Sequence, residues 1–369
     1  MEIKTLPKFE GPKPKDFFRT LNSRVNNYFK QSGKKKTGDC NLYIKALIMF
    51  TIYFGSYVLL FIFQFPFWCY LLLAIIMGVG KAGVGMNVMH DANHGAFSSK
   101  KWVNKLMGAS IYILAGNVYN WKVQHNLLHH TYTNIPGHDE DLDAGRVIRL
   151  TKYAKWHQLH RFQHYYSIFL YGLLTFNWVI TADFKQTKKY LRRGLVYGND
   201  TLPTKTQQWS SLIFTKVLYI TIFLVIPTVF SEFVFWQVFI AYFLMHYVAG
   251  MILSVVFQLA HIGEDAHIVL PESDGKMNTI TAIHQLRTTI NFAMDNRIVN
   301  WFTGGLNYQI EHHIFPGMSH THYVRISKIV RETAREFNLP YNSYLTLGKA
   351  IWGHIKHLKN IRNQRLSTT

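Results

Sequence analysis

The chain has 369 residues, 49% of them apolar and 15% aromatic, only 16% charged, and a formal net charge of +20. A mean hydropathy of +0.00 requires the apolar residues to be gathered in blocks, which excludes an ordinary soluble globule and predicts a membrane protein. With only Cys40 and Cys69, a disulfide framework and a thiolate metal site are excluded, and with no basic and aromatic platform outside the apolar blocks nucleic acid is not an expected partner.

Residues 1–42 read as a polar cytosolic arm with ten Lys and Arg and no apolar signal segment, so membrane entry falls to internal spans. The stretches 43–64 and 66–87 each have about the 20 residues needed to cross a hydrocarbon core, and the turn from Gln64 to Phe67 carries no Lys or Arg. Downstream, 105–118 and 165–181 are apolar but short or interrupted, and are expected to be interfacial or re-entrant helices. A second hairpin follows at 210–229 and 233–259, and its turn, Pro227 to Phe233, again carries no Lys or Arg. Basic residues crowd 100–205 and 285–369, so the positive-inside rule puts both termini and the central segment in the cytoplasm. Lys81 and Lys216, near the cytoplasmic ends of their spans, are expected to snorkel to the headgroups. His246, inside the fourth span, is expected to face the bundle interior, where it would line an acyl tunnel. The expected fold is an all-α integral membrane protein: four transmembrane helices in two hairpins, interfacial helices, and a cytosolic helical cap carrying a metal site. Its divisions are an arm at 1–42, a membrane domain at 43–325 and a basic tail at 326–369.

Nineteen histidines are a heavy load, and they cluster. His90 and His94 stand at i, i+4 just beyond the second span, on one face of a continuing helix, the spacing two imidazoles need to aim at one metal. His125 and His129 repeat it, with His130 turned some 100° further around the helix. Gln309-Ile310-Glu311-His312-His313 has the same shape with glutamine in the leading place. A lone histidine is more often a core or headgroup-facing residue, but three clusters on one membrane face reverse that reading. Imidazole ligation without thiolate suits Fe, Zn, Cu or Ni, so spacing leaves the metal open. His157, His160 and His164 recur at helical spacing without adjacent pairs, which favours an interfacial face over a metal trio. Asp91, Asp141 and Glu311 are expected to accept the second ring N–H of ligand histidines, with Asp139, Glu140 and Asp143 weaker choices.

The segments HDANHGAFS, QHNLLHHTYTN and GGLNYQIEHHIFP closely resemble the histidine boxes of membrane fatty-acid desaturases, over roughly residues 85–325. Gln309 in the leading place resembles the front-end subgroup, which inserts a double bond between an existing one and the carboxyl end. The resemblance implies two non-haem irons, O2 as co-substrate, four spans and a cytosolic site held by His90, His94, His125, His129, His130, His312 and His313. It also implies His261, in FQLAHIGED, as a further ligand. Gln309 is expected to make a weak or water-mediated contact, since a neutral amide is a poorer ligand than imidazole.

Unactivated C–H bonds demand a redox metal, which rules out zinc for this chemistry. No His-Pro-Gly-Gly haem motif is present, so electrons are expected from an external carrier, a ferredoxin or a separate cytochrome b5 with its reductase, steered to the basic face. That absence favours a bacterial inner membrane over the endoplasmic reticulum. The expected substrate is a long fatty acyl chain on CoA, acyl carrier protein or a membrane lipid. Rival readings are a membrane hydroxylase, a sphingolipid desaturase and, from another class, a His-rich metal transporter. A transporter would place its ligands near the midplane, whereas these clusters lie beyond span ends.

Overall fold

A computed structural model of the chain describes residues 6–10 and 15–364. Four helices are long and apolar enough to cross a membrane: Cys40–Ile62, Phe67–Asn93, Lys205–Phe230 and Phe235–His261. They match the four expected spans and run further, the second to Asn93 and the fourth to His261, so that each carries histidines at its C-terminal end. The fold is all-α as expected. The only strands among the described residues are two short parallel pairs, Lys8–Phe9 with Lys276–Met277 and Asn291–Phe292 with Ser343–Tyr344.

The chain forms two compact units, one drawn from Gly38–Val123 and Ile168–Val255, the other from Met1–Thr37, Gln124–Ser167 and Val256–Thr369. The first holds three of the membrane spans and the fourth as far as Val255. Asp39 caps the first span, its carboxylate accepting from the Asn41 and Leu42 amides, which satisfies donors that would otherwise be orphaned at a helix start. Between the spans a core of Tyr53, Tyr70, Met77, Tyr219, Phe223 and Met245 is buried. Small residues let the second span approach its neighbours: a Cβ on Gly80 would lie 2.7 Å from the Tyr53 amide nitrogen, and one on Gly78 2.7 Å from the Met245 carbonyl.

Two lysines depart from expectation in this unit. Lys81 does not snorkel: it is fully buried, its Nζ donating to Tyr219 Oη at 2.8 Å and lying 3.2 Å from His246 Nδ1. Tyr219 Oη in turn lies 2.8 Å from His246 Nε2, and Thr175 Oγ1 2.9 Å from its Nδ1. Lys216 turns inward too, bonding the Asp183 carboxylate, the Ala115 carbonyl and, at 2.8 Å, the Trp178 carbonyl. An ammonium group in hydrocarbon is costly unless paired, and here both lysines find their partners inside the bundle. The apolar stretch 105–118 forms the helix Lys101–Gly108 and a short 3-10 turn that ends in a left-handed Ala115, too short to span.

The second unit has a helical core of its own. The N-terminal helix Lys15–Ser32 buries Phe17, Leu21, Val25 and Phe29, an i, i+4 stripe, in the same core as Ile326, Val330 and Ala334 of the helix Tyr323–Glu336. Arg24 clamps the pair with a two-pronged bond to Glu336, 2.7 Å on each arm. The last helix, Leu347–Ile361, is held by buried Arg149, which donates to the Ile361 carbonyl at 3.1 Å and to the Gln364 carbonyl at 2.6 Å. On the same helix His354 is buried, its Nδ1 2.7 Å from the Ile262 carbonyl.

Candidate metal centre

Six imidazoles converge in the second unit. His125 and His129 lie on a stretch wound as a π-helix, Lys122–His129, with His130 opening the short helix that follows. Wider winding changes which residues align. Along an α-helix His130 would point away from His125, but with i to i+5 bonding the two come into register, their Nε2 atoms 3.2 Å apart. The third box forms the wholly buried helix Gln309–Ile314, which presents His312 and His313, with ring centroids 4.6 Å and 4.2 Å from that of His130. The end of the fourth span supplies His261, 4.5 Å from His129 and 4.9 Å from His313 by ring centroids.

Two overlapping ligand sets result, His129 with His261 and His313, and His130 with His312 and His313. In each, one nitrogen per ring lies within 4.8 Å of the others. That is little more than the roughly 4 Å allowed by two metal–nitrogen bonds of about 2.1 Å each. His129 Nε2, His313 Nε2, both nitrogens of His261 and Gln309 Oε1 are buried without a hydrogen-bond partner. Buried polar atoms are rarely left so, and five at one place are what an inner ligand shell looks like before its ion. The donor set of neutral imidazoles plus carboxylate and amide oxygens fits a borderline transition metal.

Outer contacts orient the rings. His129 Nδ1 lies 3.1 Å from Asp139 and 3.3 Å from Asp141, and the Asn134 amide donates to the same Asp139 carboxylate at 2.9 Å. Burial disfavours a charged His129, but these carboxylates outweigh it and raise its pKa. Burial holds His313 well below the usual imidazole range, and the surrounding His130, His261, His129 and His312 push the same way. Neutral rings are what ligation requires. Burial lifts Asp141 to about 7 against the pull of His129, while Gln124 donates to its carboxylate.

The expected outer residues thus divide. Asp141 stands by His129, and Asp139, given less weight from sequence, makes the closer contact. Asp91 Oδ1 is 3.9 Å from His90 Nδ1. Glu311 accepts from Asn291 and Tyr341, both at 2.8 Å, and so ties the third box to the strand Asn291–Phe292. Gln309 donates its amide nitrogen to the Leu306 carbonyl at 2.8 Å, which leaves Oε1 directed elsewhere. His160 is occupied structurally, Nδ1 accepting from the His157 amide at 3.0 Å and Nε2 lying 3.0 Å from the Arg146 carbonyl. Two groups escape sequence reasoning altogether: the Thr133 hydroxyl, 3.2 Å from His313 Nδ1, and the Tyr323 hydroxyl, 3.2 Å from His312 Nδ1.

His90 and His94 belong to the membrane-spanning unit. They follow a π-turn at Gly85–Met89, their ring centroids 4.8 Å apart, and the Trp121 ring stands edge-on to both at 5.8 Å and 5.5 Å.

Residues 65–345 match the sequence model of a family described as fatty acid desaturase. A protein of Arthrospira platensis named sn-1 linoleoyl-lipid 6-desaturase is 33% identical over 94% of this chain and 92% of its own length. One of the same name from Synechocystis is 30% identical over 96% and 98%. An acyl-lipid (8-3)-desaturase of Physcomitrium patens is 32% identical over 94% of this chain and 72% of its own.

Proposed function

The chain belongs to the fatty acid desaturase family, and from that premise we propose that it is a front-end acyl-lipid desaturase, converting a linoleoyl chain held in a membrane glycerolipid to its 6-desaturated product. The observation that carries this reading is the six-imidazole cluster with Gln309, not histidine, leading the third box. The near full-length similarity to two linoleoyl-lipid 6-desaturases supports the position and the lipid-linked carrier.

The reaction removes two hydrogens from adjacent methylenes while O2, two electrons and two protons become two waters. In the proposed site His125, His129, His130, His261, His312 and His313 would hold iron, with Gln309 in weak or water-mediated contact, and the motif read from the sequence adds His90 and His94 to the ligands of a two-iron centre. Bound iron supplies the redox chemistry that abstracts unactivated hydrogen. The protein supplies position and protonation state. Asp139 keeps the proton of His129 on Nδ1, so Nε2 presents a lone pair, and burial of His313 keeps that ring neutral. Electrons come from a ferredoxin or a separate cytochrome b5 with its reductase, drawn by the net charge of +20. The termini and metal site face the cytoplasm of a bacterial inner membrane, in accord with the placement of Lys and Arg.

Expression in a host without polyunsaturates, fed linoleic acid, tests the proposal by mass spectrometry of lipid classes. A new double bond at carbon 6 in glycerolipid-bound chains is expected. A product heavier by one oxygen, or a double bond confined to the acyl-CoA pool, would overturn it.

A further inference from the structure

We infer that Thr133 and Tyr323 are positioning residues that fix the tautomers of His313 and His312; the inference rests on the iron-binding reading above. Each hydroxyl has one proton to give and lies between an imidazole nitrogen and a backbone carbonyl. Thr133 Oγ1 lies 2.7 Å from the His129 carbonyl and 3.2 Å from His313 Nδ1. Tyr323 Oη lies 3.0 Å from the Met318 carbonyl and 3.2 Å from His312 Nδ1. A carbonyl can only accept. If either hydroxyl gave its proton to the imidazole, its oxygen would face the carbonyl lone pair against lone pair, inside a buried site where repulsion is poorly screened. The hydroxyl proton therefore goes to the carbonyl, and the imidazole Nδ1–H donates to the hydroxyl oxygen.

The consequence is directional. With the proton fixed on Nδ1, the Nε2 atoms of His312 and His313 carry the lone pair toward the metal, as Nε2 of His129 does by way of Asp139. Three rings on two segments distant in sequence are thereby pre-set in the same tautomer by three different partners. One partner is a carboxylate and two are neutral hydroxyls. His129, which faces the carboxylate, is thus the most electron-rich of the three.

Both hydroxyls also suit their places structurally. Tyr323 is 1% exposed in the core under the third box, so Tyr323→Phe keeps the ring packing and removes only the oxygen. Thr133 is fully buried, and Thr133→Val is close to isosteric while Thr133→Ser retains the hydroxyl.

The test uses full-length protein loaded with 57Fe, with metal affinity measured by chelator competition, Mössbauer spectra of the bound iron, and the melting temperature of the metal-free protein. Thr133→Val and Tyr323→Phe should each weaken iron binding by about 10–100-fold and alter the spectrum, a change beyond what any drop in the metal-free melting temperature accounts for, and Thr133→Ser should restore affinity and spectrum. Parental affinity and spectrum in the Val and Phe variants would overturn the positioning role, as would a loss that tracks the metal-free melting temperature alone. If the parent protein itself takes up no iron, the iron-binding reading fails before these variants are compared.

Discussion

Two buried polar clusters in this molecule look alike by composition and differ in one respect. Lys81, Tyr219, His246 and Thr175, among the membrane spans, form a closed set in which both ring nitrogens of the histidine have partners within 3.2 Å. The imidazoles of the second unit leave His129 Nε2, His313 Nε2 and both nitrogens of His261 without one. The first cluster meets its own hydrogen-bonding needs and ties several helices together. An unsatisfied one carries an unmet desolvation cost of about 1–3 kcal/mol per group, which a bound ion would relieve. Burial and histidine content do not separate structure from function here; the hydrogen-bond account does.

The contrast can be broken by substitution. The largest effect is expected from His129→Ala, His312→Ala or His313→Ala, each of which should abolish product and iron binding while leaving membrane insertion intact, read by lipid analysis and metal analysis on membranes. Turnover at the parental rate in any of them would remove that residue from the site. Lys216→Met should act in the opposite sense, leaving the imidazoles untouched but stranding the Asp183 carboxylate in the bundle at a cost of about 3–5 kcal/mol, measured by denaturant unfolding in detergent. Asp139→Asn keeps the volume but weakens the acceptor for His129, and iron affinity should fall about 10–100-fold by chelator competition. Gln309→Ala should be milder than His312→Ala in both product and iron, since a neutral amide is a poorer ligand than an imidazole. Equal loss would make Gln309 a direct ligand.

The smallest effect is on stability against pH. Burial lowers His354 to about 4, below an unfolded value near 6.5. Between those values the unfolded chain binds a proton the native state refuses, so stability is full above about pH 6.5 and is lost as the pH falls toward 4. At pH 6 the loss is about 1 kcal/mol, a small drop in melting temperature that His354→Asn should remove.

Much of this was legible in the sequence because its signals are local. Spans are runs of apolar residues and histidine boxes are short words, so both could be read without knowing what they pack against. The π-winding at Lys122–His129 could not, since the residues that align under it are five apart, and the text of the box fits an α-helix equally well. Lys81 was read as snorkelling because its partners, Tyr219 and His246, are 138 and 165 residues away. Thr133 and Tyr323 carry no motif at all: a hydroxyl becomes a tautomer lock only through the carbonyl on its other side.

The N-terminal helix has a consequence in time. Its apolar stripe, Phe17 to Phe29, is covered by a helix that begins at Tyr323, roughly 290 residues later in synthesis. At about 5–20 residues per second, that surface emerges from the ribosome some 15–60 seconds before its cover exists. His125, His129 and His130 wait about two-thirds as long for His312 and His313. The unit that carries the imidazole cluster is therefore the last part of the protein that can close, after all four spans have been made, and in the interval its first helix is an amphipathic segment with its apolar face uncovered.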